Sequence, residues 1–181
     1  QSPGKNSHLS QVLFSLLKAG TTVWLCPNNV SLWQRFQTLR NLEIDACLYL
    51  NDIKHRFKDK KKAARDLLNR QALILFTTPD YFRSPFFADT VEAMKANDIN
   101  FSGFLVEGIS AVSEYSPDFN PLYKGMVDYA RNLLKTKGFG LTVRAAGQHA
   151  DYAVIEDIKA DLQIDKLINR PMQPRRFDAD I

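Results

Sequence analysis

Apolar residues recur along this chain in two alternating rhythms. Leu9, Val12, Leu13, Leu16 and Leu17 fall at three- and four-residue steps, which predicts an amphipathic helix ending at Gly20. The run over 21–26 is short, apolar and rich in β-formers, and Pro27-Asn28 closes it, so it reads as a strand. Leu32, Trp33, Phe36 and Leu39 return to the helical period. A strand over 46–50, a charged helix over 54–69 and a strand over 72–76 follow, with a loop at 77–80. Further on, the pattern predicts a helix over 90–96, a strand over 101–106, a helix over 123–134, a strand over 140–143 and a helix over 149–162. Strands that are apolar on both sides and alternate with helices imply a parallel sheet covered on both faces. Ligands of such sheets sit at the carboxyl ends of the strands, which directs attention to the loops after Cys26, Phe76, Val106 and Val143.

Composition narrows this picture. The 181 residues suffice for one domain or at most two small ones, and 45% hydrophobic content builds a real core. Cys26 and Cys47 are too few for a disulfide framework or a four-thiolate zinc site, and buried inert thiols are expected. His8, His55 and His149 show no paired metal spacing, so no metal site is expected. No apolar run reaches the roughly 18 residues of a membrane helix, and the start is too polar for a signal peptide. The expectation is a soluble intracellular domain without a membrane partner, nuclear in a eukaryote and cytoplasmic in a bacterium. Gln1 opens almost directly into Ser2-Pro3-Gly4, as if cut from something longer. The net charge of +4 permits a nucleic-acid partner without demanding one.

Gly4 and Lys5 stand before the first helix, where a phosphate-binding loop belongs. Asn6 occupies the place of the magnesium-binding Ser or Thr, and Ser2-Pro3 replaces glycine-rich sequence. A turn with a surface lysine and a weakened phosphate site are both open readings. The run Lys54, His55, Arg56, Lys58, Lys60, Lys61, Lys62 and Arg65, offset by Asp59 and Asp66, reads either as a solvated helix face or as a phosphate-contacting one.

The stretch from Phe101 to Tyr123 carries a resemblance. Its apolar strand, Glu107-Gly108-Ile109-Ser110, Val112-Ser113, Tyr115 and the run Asp118-Phe119-Asn120-Pro121 resemble the second helicase motif and aromatic-rich loop of RecQ-family DNA helicases. There the strand enters Asp-Glu-Ala-His, followed by Val-Ser, a Trp, Asp-Phe-Arg-Pro and a Tyr. Leu25-Cys26-Pro27 with Leu32-Trp33-Gln34-Arg35, Leu48-Tyr49-Leu50-Asn51, Phe76-Thr77-Thr78-Pro79-Asp80 and Leu141-Thr142-Val143-Arg144-Ala145 are similar to further family motifs in order. The resemblance implies a three-layer RecA-like fold of the P-loop NTPase type: an α/β, mostly parallel sheet with helices on both faces. It further implies an N-terminal-type motor lobe over 1–168 and an exit segment over 169–181 toward a following domain.

The departures bear on chemistry. The resemblance places Glu107 on the family's magnesium-holding Asp and Gly108 on the Glu that activates water. General-base help is worth ~10²–10⁴ in rate, and Gly108 supplies none. Asn6 weakens the magnesium site again, and Val143-Arg144 puts bulk and charge where the third motif has small hydroxyl residues. The implied nucleotide site, made of Gly4, Lys5, Asn6, Glu107 and Arg144, is vestigial: ATP or ADP would bind weakly, magnesium is in doubt and no turnover is expected. Tyr115, Asp118, Phe119 and Asn120 fall on the family's DNA-coupling loop, where exposed aromatics stack on unpaired bases, unless Phe119 and Tyr123 instead pack the loop onto the sheet. Three functions follow. The first is a pseudo-helicase lobe acting as a scaffold or as a DNA- or protein-binding domain, in the family's setting of DNA repair and recombination. The others are a divergent working ATP-dependent helicase lobe and an interaction module without a nucleotide role. Partners implied are single-stranded or duplex DNA and a second helicase-like lobe or other protein domains.

Overall fold

The centre of the sheet is β1 (Thr21–Leu25), all five residues of which are buried. The structure is a computed structural model that describes residues 20–43, 46–48, 57–69, 72–138, 140–147 and 151–163. After β1 come α1 (Asn29–Asn41), β2 (Ala46–Leu48), α2 (Phe57–Leu68), β3 (Ile74–Thr77), the single-turn α3 (Pro79–Phe82) and α4 (Pro85–Ala96). Then follow β4 (Phe101–Glu107), two 3-10 turns (Ile109–Val112 and Pro121–Tyr123), α5 (Met126–Leu134), β5 (Thr142–Ala146) and α6 (Tyr152–Leu162). The five strands run in the order β2-β3-β1-β4-β5, and every pairing is parallel. This is the expected α/β layering. The first helix, the tail over 169–181 and Tyr49, Leu50 and Asn51 lie outside the described residues.

Strand alternation divides the core in two. Val23, Leu25, Leu75, Phe104 and Val106 point into the larger cluster, which α4, α5 and α6 cover with Phe87, Val91, Met94, Val127, Leu134 and Ile158. Trp24, Cys26, Ile74 and Phe76 point the other way, beneath Leu32 and Leu39 of α1. Phe82 anchors the larger cluster, stacking on Phe104 at 5.1 Å between ring centroids and meeting Phe87 at 5.1 Å. On the other face Trp24 stacks on Phe76 at 5.1 Å. Such pairs add about 0.5–1.5 kcal/mol beyond burial. Gly103 lets β4 close on β1, because a Cβ there would lie 2.8 Å from Thr22 Oγ1.

Several boundaries differ from the sequence reading. The supposed loop at 77–80 ends β3 and begins α3, with Pro79 in the first turn, where its missing N–H costs nothing. The helix assigned to 90–96 begins earlier, at Pro85, because the Ser84 side chain caps it by accepting from Phe87 N at 3.2 Å. The helix assigned to 123–134 starts only at Met126: Gly125 sits in the left-handed region at φ 65° and separates it from the 3-10 turn before it. The strand assigned to 72–76 is Ile74–Thr77, and that assigned to 140–143 is Thr142–Ala146. The latter is an outer strand positioned by pairing with β4 rather than by its own apolar content. Among the described residues, no helix is long and apolar enough to cross a membrane.

Candidate functional site

The carboxyl ends of β1 and β4 are neighbours, with Leu25 paired to Val106. The next residue on each strand, Cys26 and Glu107, therefore shares the face covered by α1. Asn28 caps α1 by accepting from Ser31 N at 2.9 Å, and this sets the helix so that Arg35 reaches back over the strand ends. Arg35 Nε donates to Glu107 Oε1 at 2.8 Å. The Glu107 side chain is 15% exposed and that of Arg35 51%. The Cys26 thiol is fully buried and hydrogen-bonds Glu107. Burial, and then the Glu107 charge, push that thiol far above its usual range, with Arg35 opposing. Tyr123 Oη donates to the Glu107 carbonyl at 2.9 Å, and burial, then Cys26 and Glu107, hold the phenol protonated as well.

Gly108 follows at φ 67°, ψ 37°, and a Cβ there would meet Pro27 at 3.3 Å. A side chain at this position would be strained by its backbone and crowded by β1's exit. The strand-end acid is thus held by a guanidinium carried on α1 and a buried thiol.

Beyond Gly108, a loop built on the two 3-10 turns is tied down from several sides. Ser113 Oγ donates to Asp157 Oδ2 of α6 at 2.6 Å, and Tyr115 N donates to Ser113 Oγ at 3.2 Å. Gly125 N donates to Asp161 Oδ1 at 2.9 Å. Arg83, just after α3, forks onto the Leu122 and Lys124 carbonyls at 2.9 and 2.6 Å and lies 5.2 Å from the Tyr129 ring centroid. On this frame Tyr115 is 72% exposed and Phe119 36%, whereas Tyr123 is buried against the sheet. Asp118 is exposed at the loop surface, its N–H donating to Ser116 Oγ. Asn120 spends its side chain accepting from Leu122 N at 3.0 Å, capping the second 3-10 turn.

The remaining sequence candidates are scattered. Gly4, Lys5, Asn6, Lys54 and Arg56 lie outside the described residues. Lys58, Lys60, Lys61 and Lys62 fall on α2, where Lys62 is exposed, as is Arg65. Arg144 is exposed on β5, in register with Leu105. The sequence reading placed Arg35 in a motif but gave it no role, and it left out Arg83, Asp157 and Asp161. None of them had a local signal: Arg35 lies 72 residues from Glu107, and Arg83, Asp157 and Asp161 have partners 39, 44 and 36 residues away.

Among the described residues, the five-stranded parallel sheet with helices on both faces is a RecA-like α/β arrangement. Solved structures agree. The chain resembles the crystal structure of the Pyrococcus furiosus Hef helicase domain, with a TM-score of 0.52 at 14% identity, over 90% of this chain and 31% of that one. The chain thus spans less than a third of that neighbour, and the likeness shows a helicase-like fold. No family model and no curated protein matches the sequence.

Proposed function

We propose that this chain is a degenerate RecQ-like helicase ATP-binding lobe that does not hydrolyse ATP and serves as a scaffold. The observation that carries the reading is the state of Glu107. Its carboxylate, the acid nearest in sequence to the family's metal-holding Asp, is engaged by Arg35 and Cys26 on the face beneath α1. Gly108 stands where the family's water-activating Glu would be, in a backbone conformation that disfavours a side chain. Phosphoryl transfer needs a positioned metal and an oriented nucleophile together, and neither acid is available for that. Lys5 with Gly4 and Asn6 would retain weak contact with ATP or ADP phosphates, and Arg144 would lie near them in the family's register. The partners proposed are a second helicase-like lobe or other protein domains, with DNA phosphates as a candidate for the lysine-rich helix α2.

ATP turnover with single-stranded DNA and magnesium tests this reading. No turnover above background is expected. DNA-stimulated hydrolysis that disappears in Lys5→Ala would overturn it in favour of a working helicase lobe.

A further inference from the structure

The loop between β4 and α5 presents aromatic surface in an acidic setting. Tyr115, 72% exposed, stands next to Glu114, and Phe119 next to Asp118. Asp157 holds the Ser113 hydroxyl that the Tyr115 N–H contacts, and Asp161 holds Gly125 at the loop's far end. Among the described residues, one ammonium lies among these carboxylates, that of Lys124, and Glu114 pairs with it at 2.6 Å. The Arg83 guanidinium is turned inward onto backbone carbonyls. A phosphate chain stacking on Tyr115 would meet more carboxylates than the single Lys124 ammonium balances, so the electrostatic attraction that is the main source of nucleic-acid affinity is opposed here. A cationic side chain meets the opposite field. It also finds a ring face, whose quadrupole attracts guanidinium, and more strongly when water is excluded. The ties from Arg83, Asp157 and Asp161 preform the loop, so little ordering is left to oppose binding.

We propose that this loop is the docking surface for a basic segment of a partner protein, one in which Arg or Lys side chains flank an apolar anchor, with Tyr115 and Phe119 as the contact and Glu114 and Asp118 as the charge match. This rests on the reading of the lobe as a scaffold and names the partner chemistry of that scaffold. It departs from the DNA-stacking role that the sequence suggested for the same residues.

Fluorescence anisotropy on the full chain tests it, with two labelled probes: a 16-residue peptide alternating Arg and Leu, and a 20-nucleotide oligothymidylate. The peptide should bind at least tenfold more tightly than the same peptide with Gln for Arg. Tyr115→Ala and Asp118→Lys should each weaken it at least fivefold, and Tyr115→Phe should restore it. Because Tyr115 and Asp118 are exposed, both variants should melt with the parent, which separates lost binding from lost fold. Oligothymidylate affinity should be unchanged by Tyr115→Ala. The inference is overturned if the Arg peptide has no preference over the Gln peptide, if neither substitution weakens it, or if Tyr115→Ala abolishes oligothymidylate binding. ATP turnover in the same preparations would sink the scaffold reading alone and leave the peptide result standing.

Discussion

If the strand-end acid is a structural clamp, breaking it from its two sides should cost unequal amounts. Arg35 is half hydrated and Glu107 mostly covered. Exposed ion pairs contribute about 0.2–1 kcal/mol, whereas stripping one partner from a buried pair costs about 3–5 kcal/mol. This pair lies between. Arg35→Met leaves a covered carboxylate beside a protonated thiol and should cost about 2 kcal/mol. Glu107→Gln leaves an amide oxygen that still accepts from Arg35 and Cys26 and removes only the countercharge of a guanidinium that water already reaches, so about 1 kcal/mol is expected. In the double variant no charge is stranded, so the total should be near 2 rather than 3 kcal/mol, a coupling of about 1 kcal/mol. For a chain of this size each kcal/mol moves the melting temperature by about 2–4 °C. Urea unfolding followed by tryptophan emission is the assay of choice, since both tryptophans, Trp24 and Trp33, belong to the cluster beneath α1. Additivity within about 0.3–0.5 kcal/mol, or a costlier Glu107→Gln than Arg35→Met, would refute the clamp.

Three further outcomes are expected. Phe82→Ala removes a fully buried ring that touches Phe104, Phe87 and Tyr129, and should lower unfolding free energy by about 3–5 kcal/mol; a loss below 1 kcal/mol in chemical denaturation would contradict the core assignment. Gly108→Ala should cost about 1–2 kcal/mol from its left-handed backbone and the approach to Pro27, while Gly125→Ala, with open space around its Cβ position, should cost only the backbone part; equal losses in thermal melts would argue against crowding by Pro27. Stability should also fall in alkali. The fold holds Cys26 and Tyr123 protonated, whereas the unfolded chain releases these protons above the ordinary values of 9.0 and 10.0. The unfolded state then binds fewer protons, and stability drops as pH rises past 9.0, by up to ~1.4 kcal/mol per pH unit and group. Cys26→Ser with Tyr123→Phe should flatten that slope in denaturant titrations from pH 8 to about 10.5, and an unchanged slope would place its origin elsewhere.

Much of the sheet was legible because each central strand is a compact apolar run. Residues 21–26 are buried throughout and 101–106 except for the half-buried Leu105, so their composition alone marks them. Helix α4 was half legible: Phe87, Val91 and Met94 keep the helical spacing, but its start depends on the Ser84 cap and Pro85, which the apolar pattern does not contain. Strand β5 is mostly exposed or half-buried, so its position is fixed by β4 and not by its own residues. The site was legible only as a list of positions. That Glu107 closes β4 follows from the run before it; that Arg35, 72 residues away, occupies it follows from the β1–β4 pairing and the setting of α1. The same holds for Ser113 with Asp157 and for Arg83 with the Leu122 carbonyl, whose separations of 44 and 39 residues leave no local spacing to read.

The place of β1 at the centre of the sheet also sets the order in which the chain can assemble. Its two sheet neighbours, β3 and β4, are encoded roughly 50 and 80 residues downstream. A ribosome adding about 5–20 residues per second therefore releases the central strand, with its backbone groups and its Trp24 and Val23 side chains unpaired, several seconds before either flank exists. Among the described strands, the one that ends up fully buried at the sheet's centre is the one that waits longest for its neighbours, and it is where a chaperone would have most to do.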